Sequence, residues 1–402
     1  MKKTLLTLLS CSLVLSGLPT QVLAQSDDSA EESSEVVSTE ETTDVSTEEV
    51  SSEEATEETG SEEAEAENAE ETSDDAAATE SETEEETESA DEQAENAVTI
   101  KMGYGAPHGD KSFAVTYVVM DGDVVTHAYI DEFQFLEEAE GVPNSDGAFA
   151  DGFAEGVVLA SKRQNDEAYS ANMEEIAGAT QTYGESMDAV QAFAEGKTLE
   201  EIQAAIDELG ALPEDGSPAD VVSGSTFADT SGYLQTIIDV AEEGFEFQGE
   251  AAGDIANAEF SYSLQPLSQD TAVSLVGVLH DGETIYAVAQ DELQFNAEGE
   301  GVPNSDAGFG EGIAEGNVLI SKLENDEAYS ANMTEIAGAT QTYSESLKGI
   351  SEAVAGKTVE EVEAMLEEVN NLGEEDNVAD VVSGSTFSSM NEYLEAIINT
   401  LK

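Results

Sequence analysis

Residues 161–183 read SKRQNDEAYSANMEEIAGATQTY, and residues 321–343 read SKLENDEAYSANMTEIAGATQTY. They differ only at Arg163/Leu323, Gln164/Glu324 and Glu174/Thr334. The same offset of 160 relates Asp131–Phe135 to Asp291–Phe295, 141–146 to 301–306, and Asp220–Thr226 to Asp380–Thr386. It runs without a gap from about Asp110/Asp270 onward. Solenoid repeats are about 20–50 residues long, so a period of this length implies two whole domains. We expect them at 98–245 and 255–402.

Within each copy, strands come first. Phe113–Met120 and Val124–Ile130 are β-rich runs around Asp121-Gly122, a hairpin signal. Val273–Leu279 and Thr284–Ala289 repeat it around Asp281-Gly282. Helical patterns follow. Ala168–Ala194 has helical spacing interrupted by glycines. Thr198-Leu-Glu-Glu201 and Thr358-Val-Glu-Glu361 are capping boxes. A last apolar helix is expected at 233–240 and 393–401. Strands followed by helices imply an α+β class.

Upstream the composition changes. Met1-Lys2-Lys3, an apolar run from Thr4 to Leu18 and Val22-Leu23-Ala24 read as a signal peptide over 1–24. Cys11 is the only cysteine. Leu8-Leu9-Ser10-Cys11 has the residue types of a lipoprotein site, but cleavage after Ala24 fits the apolar length better. Either way the expectation is an exported protein. Residues 25–97 contain no Lys, Arg, aromatic, Pro or Cys. This acidic Ser/Thr/Glu stretch lacks the apolar surface to offset ordering entropy, which implies a disordered linker. About 70 residues reach at most roughly 240 Å.

The formal net charge of −80 repels phosphate backbones and excludes ordinary nucleic-acid binding. One cysteine leaves no disulfide, iron–sulfur or c-type haem framework. His108, His127 and His280 are not at metal-ligand spacing. We expect no metal site and no catalytic residue set.

The chemistry-bearing segment is Asp220-Val-Val-Ser-Gly-Ser-Thr-Phe227, repeated at 380–387 before the last helix. Gly224 and Gly384 permit unusual backbone angles, and Ser225 and Ser385 are small. A following helix start favours phosphate. This segment resembles the attachment motif of the FMN-binding domain family, roughly Asp-x-x-Ser/Thr-Gly-Ala-Thr/Ser-x-Ser/Thr. Family members occur in sodium-pumping quinone oxidoreductases, in Rnf-type complexes and in exported tandem-domain flavoproteins.

The resemblance implies two FMN groups, each esterified through phosphate to Thr226 or Thr386 by a flavin transferase. It implies a cofactor site made of Asp220, Ser223, Gly224, Ser225 and Thr226, and of Asp380, Ser383, Gly384, Ser385 and Thr386. It further implies an electron carrier between a membrane quinone or dehydrogenase system and extracellular acceptors such as ferric iron. Ser225 and Ser385 stand where the family has Ala, and Ala228 replaces a hydroxyl that Ser388 retains.

Two alternatives stay open. Thr180 and Thr340 lie in Gly-Ala-Thr-Gln-Thr stretches that match the motif core more literally but lack its leading Asp and Ser. And an acidic, exported, duplicated chain also suits a non-redox surface protein, whether adhesin, wall spacer or cation binder. Tyr169 and Tyr329 are candidates either to stack on an isoalloxazine ring or to pack the core. Asp146 and Asp306 are expected in turns.

Overall fold

The computed structural model describes residues 96–373 and 376–402. The expected signal peptide and nearly all of the expected linker lie outside these residues. The linker's last residue, Ala97, already belongs to a strand.

The first repeat contributes β1 (Ala97–Gly105), β2 (Ser112–Asp121), β3 (Val124–Leu136) and β4 (Val158–Ser161). It continues through α1 (Asp166–Ala177), α2 (Tyr183–Ala194), α3 (Leu199–Gly210) and α4 (Thr230–Glu243). β5 (Phe245–Glu250) then leads to the second repeat: β6 (Glu259–Leu267), β7 (Ala272–His280), β8 (Ile285–Asn296) and β9 (Val318–Ser321). Its helices are α5 (Asp326–Ala337), α6 (Tyr343–Val354), α7 (Val359–Asn370) and α8 (Met390–Thr400). The class is mixed helix and sheet.

One sheet has the order β4-β3-β2-β1-β5 and the other β6-β7-β8-β9, with every pairing antiparallel. Both expected hairpins form, with Gly122 and Gly282 at positive φ. The stretch 246–254, left between the expected domains, is largely β5, which adds an edge strand beside β1.

β2 and β7 are buried along almost their whole length, which is why they read as near-continuous apolar runs, with Thr116 and Ser274 the internal polar residues, rather than alternating ones. Phe113, Val115, Tyr117 and Val119 of β2 share a core with the second repeat, whereas Ala114 and Val118 join a core with α2 and α4. Successive strand side chains point to opposite faces, so one strand serves both layers. The two sheets therefore lie face to face, each with helices on its other side.

The two repeats grip one another reciprocally. Asn144 Nδ2 donates to the carbonyls of Leu267 (3.4 Å) and Ala272 (2.7 Å). Asn304 Nδ2 donates to those of Gly109 (3.0 Å) and Ser112 (2.7 Å). The Phe149 N–H reaches Asp270 O at 2.8 Å, and the Phe309 N–H reaches Asp110 O at 2.7 Å. A Cβ on Gly152 would sit 2.1 Å from the Phe295 ring, and one on Gly312 2.2 Å from that of Phe135. Each contact from the first repeat to the second is matched by the equivalent contact from the second to the first, as in an isologous interface. The Gly-Val-Pro-Asn-Ser-Asp loops are thus the clasps of this contact, and Asn144 and Asn304 adopt positive φ within them.

Candidate functional site

Both Asp-Val-Val-Ser-Gly-Ser-Thr-Phe segments fold as a tight turn pressed against a helix. A 3-10 turn, Pro218–Asp220, precedes the first. There the Ser217 N–H donates to Asp220 Oδ2 at 3.2 Å, so exposed Asp220 orients the loop locally. Asp380 ends the matching 3-10 turn, capped by Asn377. Gly224 has φ 98° and Gly384 φ 88°, the left-handed region in which glycine carries no Cβ penalty. The close neighbour is α2 or α6. A Cβ on Gly224 would meet Ala189 Cβ at 2.9 Å, and one on Gly384 would meet Gly349 Cα at 3.0 Å.

Ser223 and Ser383 are exposed, Thr226 and Thr386 half-buried, and Ser225 and Ser385 fully buried. In the first turn every one of the buried hydroxyls is used. Thr226 Oγ1 lies 3.2 Å from Ser186 Oγ on α2. Thr230 Oγ1 donates to Phe227 O at 2.7 Å, which leaves Ser225 to donate to Thr230 across 2.8 Å. In the second turn Met390 stands where Thr230 does. There Thr386 Oγ1, Ser385 Oγ and Ser346 Oγ are buried with no hydrogen-bond partner among the described residues.

The Gly-Ala-Thr-Gln-Thr stretches have an architectural role. Gly178 and Gly338 end α1 and α5 in left-handed conformation. Thr182 and Thr342 start α2 and α6 with complete capping boxes. Thr180 and Thr340 between them are exposed.

Beneath each turn lies a buried charged cluster that the sequence reading did not single out. Phe227 sits between Tyr183 and Tyr233, with centroids 5.4 and 5.2 Å away. Both tyrosines donate to Glu132 Oε2, at 3.4 and 2.7 Å. Ser112 donates to Glu132 Oε1, and Lys162 Nζ lies 2.7 Å from that oxygen. That last contact is an ion pair by distance, though it is out of line for a hydrogen bond. The second repeat rebuilds the cluster. Phe387 packs between Tyr343 and Tyr393, and Glu292 receives Tyr343, Tyr393 and Lys322, the last at 2.7 Å. Position 272 is Ala, so the serine donor is supplied instead by Ser268 at 2.8 Å.

Burial alone raises Glu292, but Lys322 and the Tyr393 and Ser268 hydroxyls outweigh it and hold the carboxyl below its ordinary value. Burial, then the adjacent carboxylate, pushes the Tyr183, Tyr233, Tyr343 and Tyr393 hydroxyls well above the usual tyrosine value. These phenols stay protonated and act as donors. A recurrent lysine in a chain with only 11 basic residues was the available signal.

Tyr169 and Tyr329 each stand edge-on to the tyrosine beneath, at 5.4 and 5.2 Å, with a lysine ammonium over the ring at 4.9 and 4.7 Å. Tyr169 also borders two open grooves of ≈ 250 Å³ each. The groove formed by His108–Ser112 and Gln134 is tied to the start of α4, because His108 Nδ1 lies 2.7 Å from Asp229 Oδ2. Asp146 and Asp306 lie in the clasp turns. No cluster of metal-ligating side chains occurs among the described residues.

Comparison with family models, curated proteins and solved structures finds no match for this chain.

Proposed function

We propose that the chain is an exported electron carrier with two FMN groups, joined through phosphate to Thr226 and Thr386, one in each repeat read as a domain. The observation that supports this best is the turn itself. A threonine follows a left-handed glycine and a small residue, a short turn ahead of the helix that starts at Thr230 or Met390, and the arrangement occurs twice.

The local chemistry suits a phosphoester. The second turn has buried hydroxyls in want of partners, and phosphoryl oxygens are strong acceptors. Glycine and serine leave room for another chain's approach. Thr386 Oγ1 is buried, so the turn must open for the bond to form. Thr226 or Thr386 Oγ1 then attacks the phosphorus of an activated flavin phosphate, a flavin–nucleotide pyrophosphate held by the transferase. The P–O bond to the nucleotide breaks, a nucleotide monophosphate leaves, and the hydroxyl proton passes to a base of the transferase. No electrons change hands in that step.

Once bound, flavin supplies one- and two-electron chemistry that none of the chain's own side chains offers. The chain's residues hold and position. Tyr183, Tyr233 and Glu132, with their counterparts, fix the phenylalanine beside each threonine. A tether also keeps the cofactor from being lost by dilution outside the cell. A quinone or dehydrogenase system at the membrane would be the donor, and extracellular oxidants such as ferric iron the acceptors.

Co-expression with a flavin transferase, denaturation, and measurement of intact mass and visible spectrum test this. The expected product is yellow with two added flavin phosphates, and Thr226→Ala and Thr386→Ala each remove one. Flavin lost instead on Thr180 or Thr340 substitution would move the site. An unmodified mass would leave the non-redox surface protein as the better reading.

A further inference from the structure

Beyond the presence of two sites, and resting on the flavin reading, we propose that the two turns are unequal acceptors: the second opens more readily, and Thr386 is modified ahead of Thr226. The hydroxyl contacts carry this. In the first repeat three hydrogen bonds cross-link the closed turn: Ser186 with Thr226 at 3.2 Å, Ser225 with Thr230 at 2.8 Å, and Thr230 with the Phe227 carbonyl at 2.7 Å. Opening that turn breaks them. In the second repeat Thr386 Oγ1, Ser385 Oγ and Ser346 Oγ are buried and unpartnered among the described residues. Opening this turn breaks none of those bonds and gives three hydroxyls access to water.

Two substitutions between the repeats accompany the difference. Met390 in place of Thr230 removes the acceptor that Ser225 uses. Gly349 in place of Ala189 lets α6 run against Gly384, and a Cβ there would lie 2.1 Å from Gly384 O. The backbone follows the same trend, with Ser225 N–H to Val222 O at 3.0 Å and Ser385 N–H to Val382 O at 3.3 Å. A buried hydroxyl left without a partner shifts a local equilibrium by about tenfold or more. The second repeat also keeps Ser388 where the first has Ala228, closer to the family pattern.

Hydrogen exchange on the unmodified full-length chain reads the opening without any flavin. Amides 383–389 are expected to exchange about tenfold or more faster than 223–229. Thr230→Val, which removes one hydroxyl at nearly constant shape, is expected to bring the first turn toward the second. Met390→Thr is the opposite change and is expected to slow the second. Equal exchange at the two turns, or faster exchange at the first, overturns the proposal.

A time course of flavin addition completes the test. With the transferase, Thr226→Ala protein (only Thr386 available) is expected to gain flavin about tenfold faster than Thr386→Ala protein. Flavin on both at equal rates sinks the ordering alone. Flavin on neither sinks the proposed function and the ordering together, while exchange still reports whether the turns differ.

Discussion

The two repeats are nearly the same sequence from 161 to 183 and from 321 to 343, yet they solve one packing problem in two ways. In the first, Arg163 lies between β3 and α2. Its Nε donates to Ile130 O at 2.7 Å, and its guanidinium reaches Gln191 and Asp188. In the second, Leu323 is buried, and Ser351 occupies the place of Gln191. Ser351 donates to Gln248 O on β5 at 2.8 Å and accepts from the Val288 N–H at 3.0 Å. The strand that follows the first repeat is thus packed into the second. Among the described residues β5 has no counterpart against the first repeat, and the two copies differ where it packs. What stayed alike despite this is the Glu–Lys–Tyr cluster and the clasp loops.

The largest expected effect tests that likeness. Glu292→Ala leaves Lys322 buried and unpaired, and loss of one partner of a buried pair costs about 3–5 kcal/mol. Glu132→Ala should cost as much, because Lys162 is equally enclosed. Urea unfolding of both variants measures this. A Glu292→Leu/Lys322→Met double variant should recover most of the loss, since an apolar pair of similar volume often replaces a buried ion pair at little cost. Costs that differ widely between repeats would mean that the Ser268 replacement for Ser112 is not equivalent.

The pH dependence should separate the repeats next. Burial, against hydrogen bonds from Ser161 and Ser321 among others, pushes Asp131 and Asp291 from 3.8 to about 6. A folded-state value above the unfolded one favours the folded state while the group is protonated. That contribution is complete below about pH 4 and is lost as pH rises through 6, on the order of 2–3 kcal/mol for each. In the second repeat Glu324, raised to about 7 by burial and then by Asp291 and Glu300, extends the loss upward, whereas Gln164 has no charge to titrate. Asp131→Asn and Asp291→Asn should each flatten the stability slope between pH 4 and 6. Tyr104→Phe removes a donor 2.6 Å from Asp291 only, so it should steepen the part owed to Asp291 and leave that of Asp131 alone. Urea midpoints at each pH decide it, and a Tyr104→Phe profile identical to that of the parent would break the assignment.

How far the sequence could be read follows from the range of each interaction. Hairpins around Asp121-Gly122 and Asp281-Gly282, the glycine break near 178 and the boxes at Thr198 and Thr358 are local, and local chemistry placed them. Thr182-x-x-Glu185 carries the same capping signal and belonged with them. β1 was missed because Lys101, Gly103 and Gly105 interrupt its apolar pattern. The partners of Glu132 lie 20 to 101 residues away, so no window of the sequence brings them together. The clasp was hidden for another reason. Gly-Val-Pro-Asn-Ser-Asp reads as a turn, and it is one, but its asparagine spends its amide on the other repeat. At the Asp-Val-Val-Ser-Gly-Ser-Thr-Phe turns, the glycines and threonines were legible as a motif. The hydroxyl pairing that distinguishes them depends on Thr230, 5 residues from Ser225, and on Ser186, which lies 40 residues from Thr226 and which only the fold places there.

The smallest effect tests the difference with which the comparison began. Arg163→Leu imports the second repeat's residue into the first without importing β5. The Asp188 contact is mostly exposed and worth little. The buried part is the bond to Ile130 O and the share of Gln191 that Arg163 holds in place while the Ile130 N–H donates to its Oε1 at 3.0 Å. Losing one such bond typically costs about 1 kcal/mol, and the packing of Arg163 over the Tyr129 ring, 4.9 Å from its centroid, goes with it. A urea midpoint should therefore fall by an amount matching about 1–2 kcal/mol. Gln191→Ser in the same background supplies the other residue of the second repeat and should not restore stability, because among the described residues no strand lies there to receive its hydroxyl. If it does restore it, β5 does not account for the difference, and the divergence at 163/323 would have to come from the helices themselves.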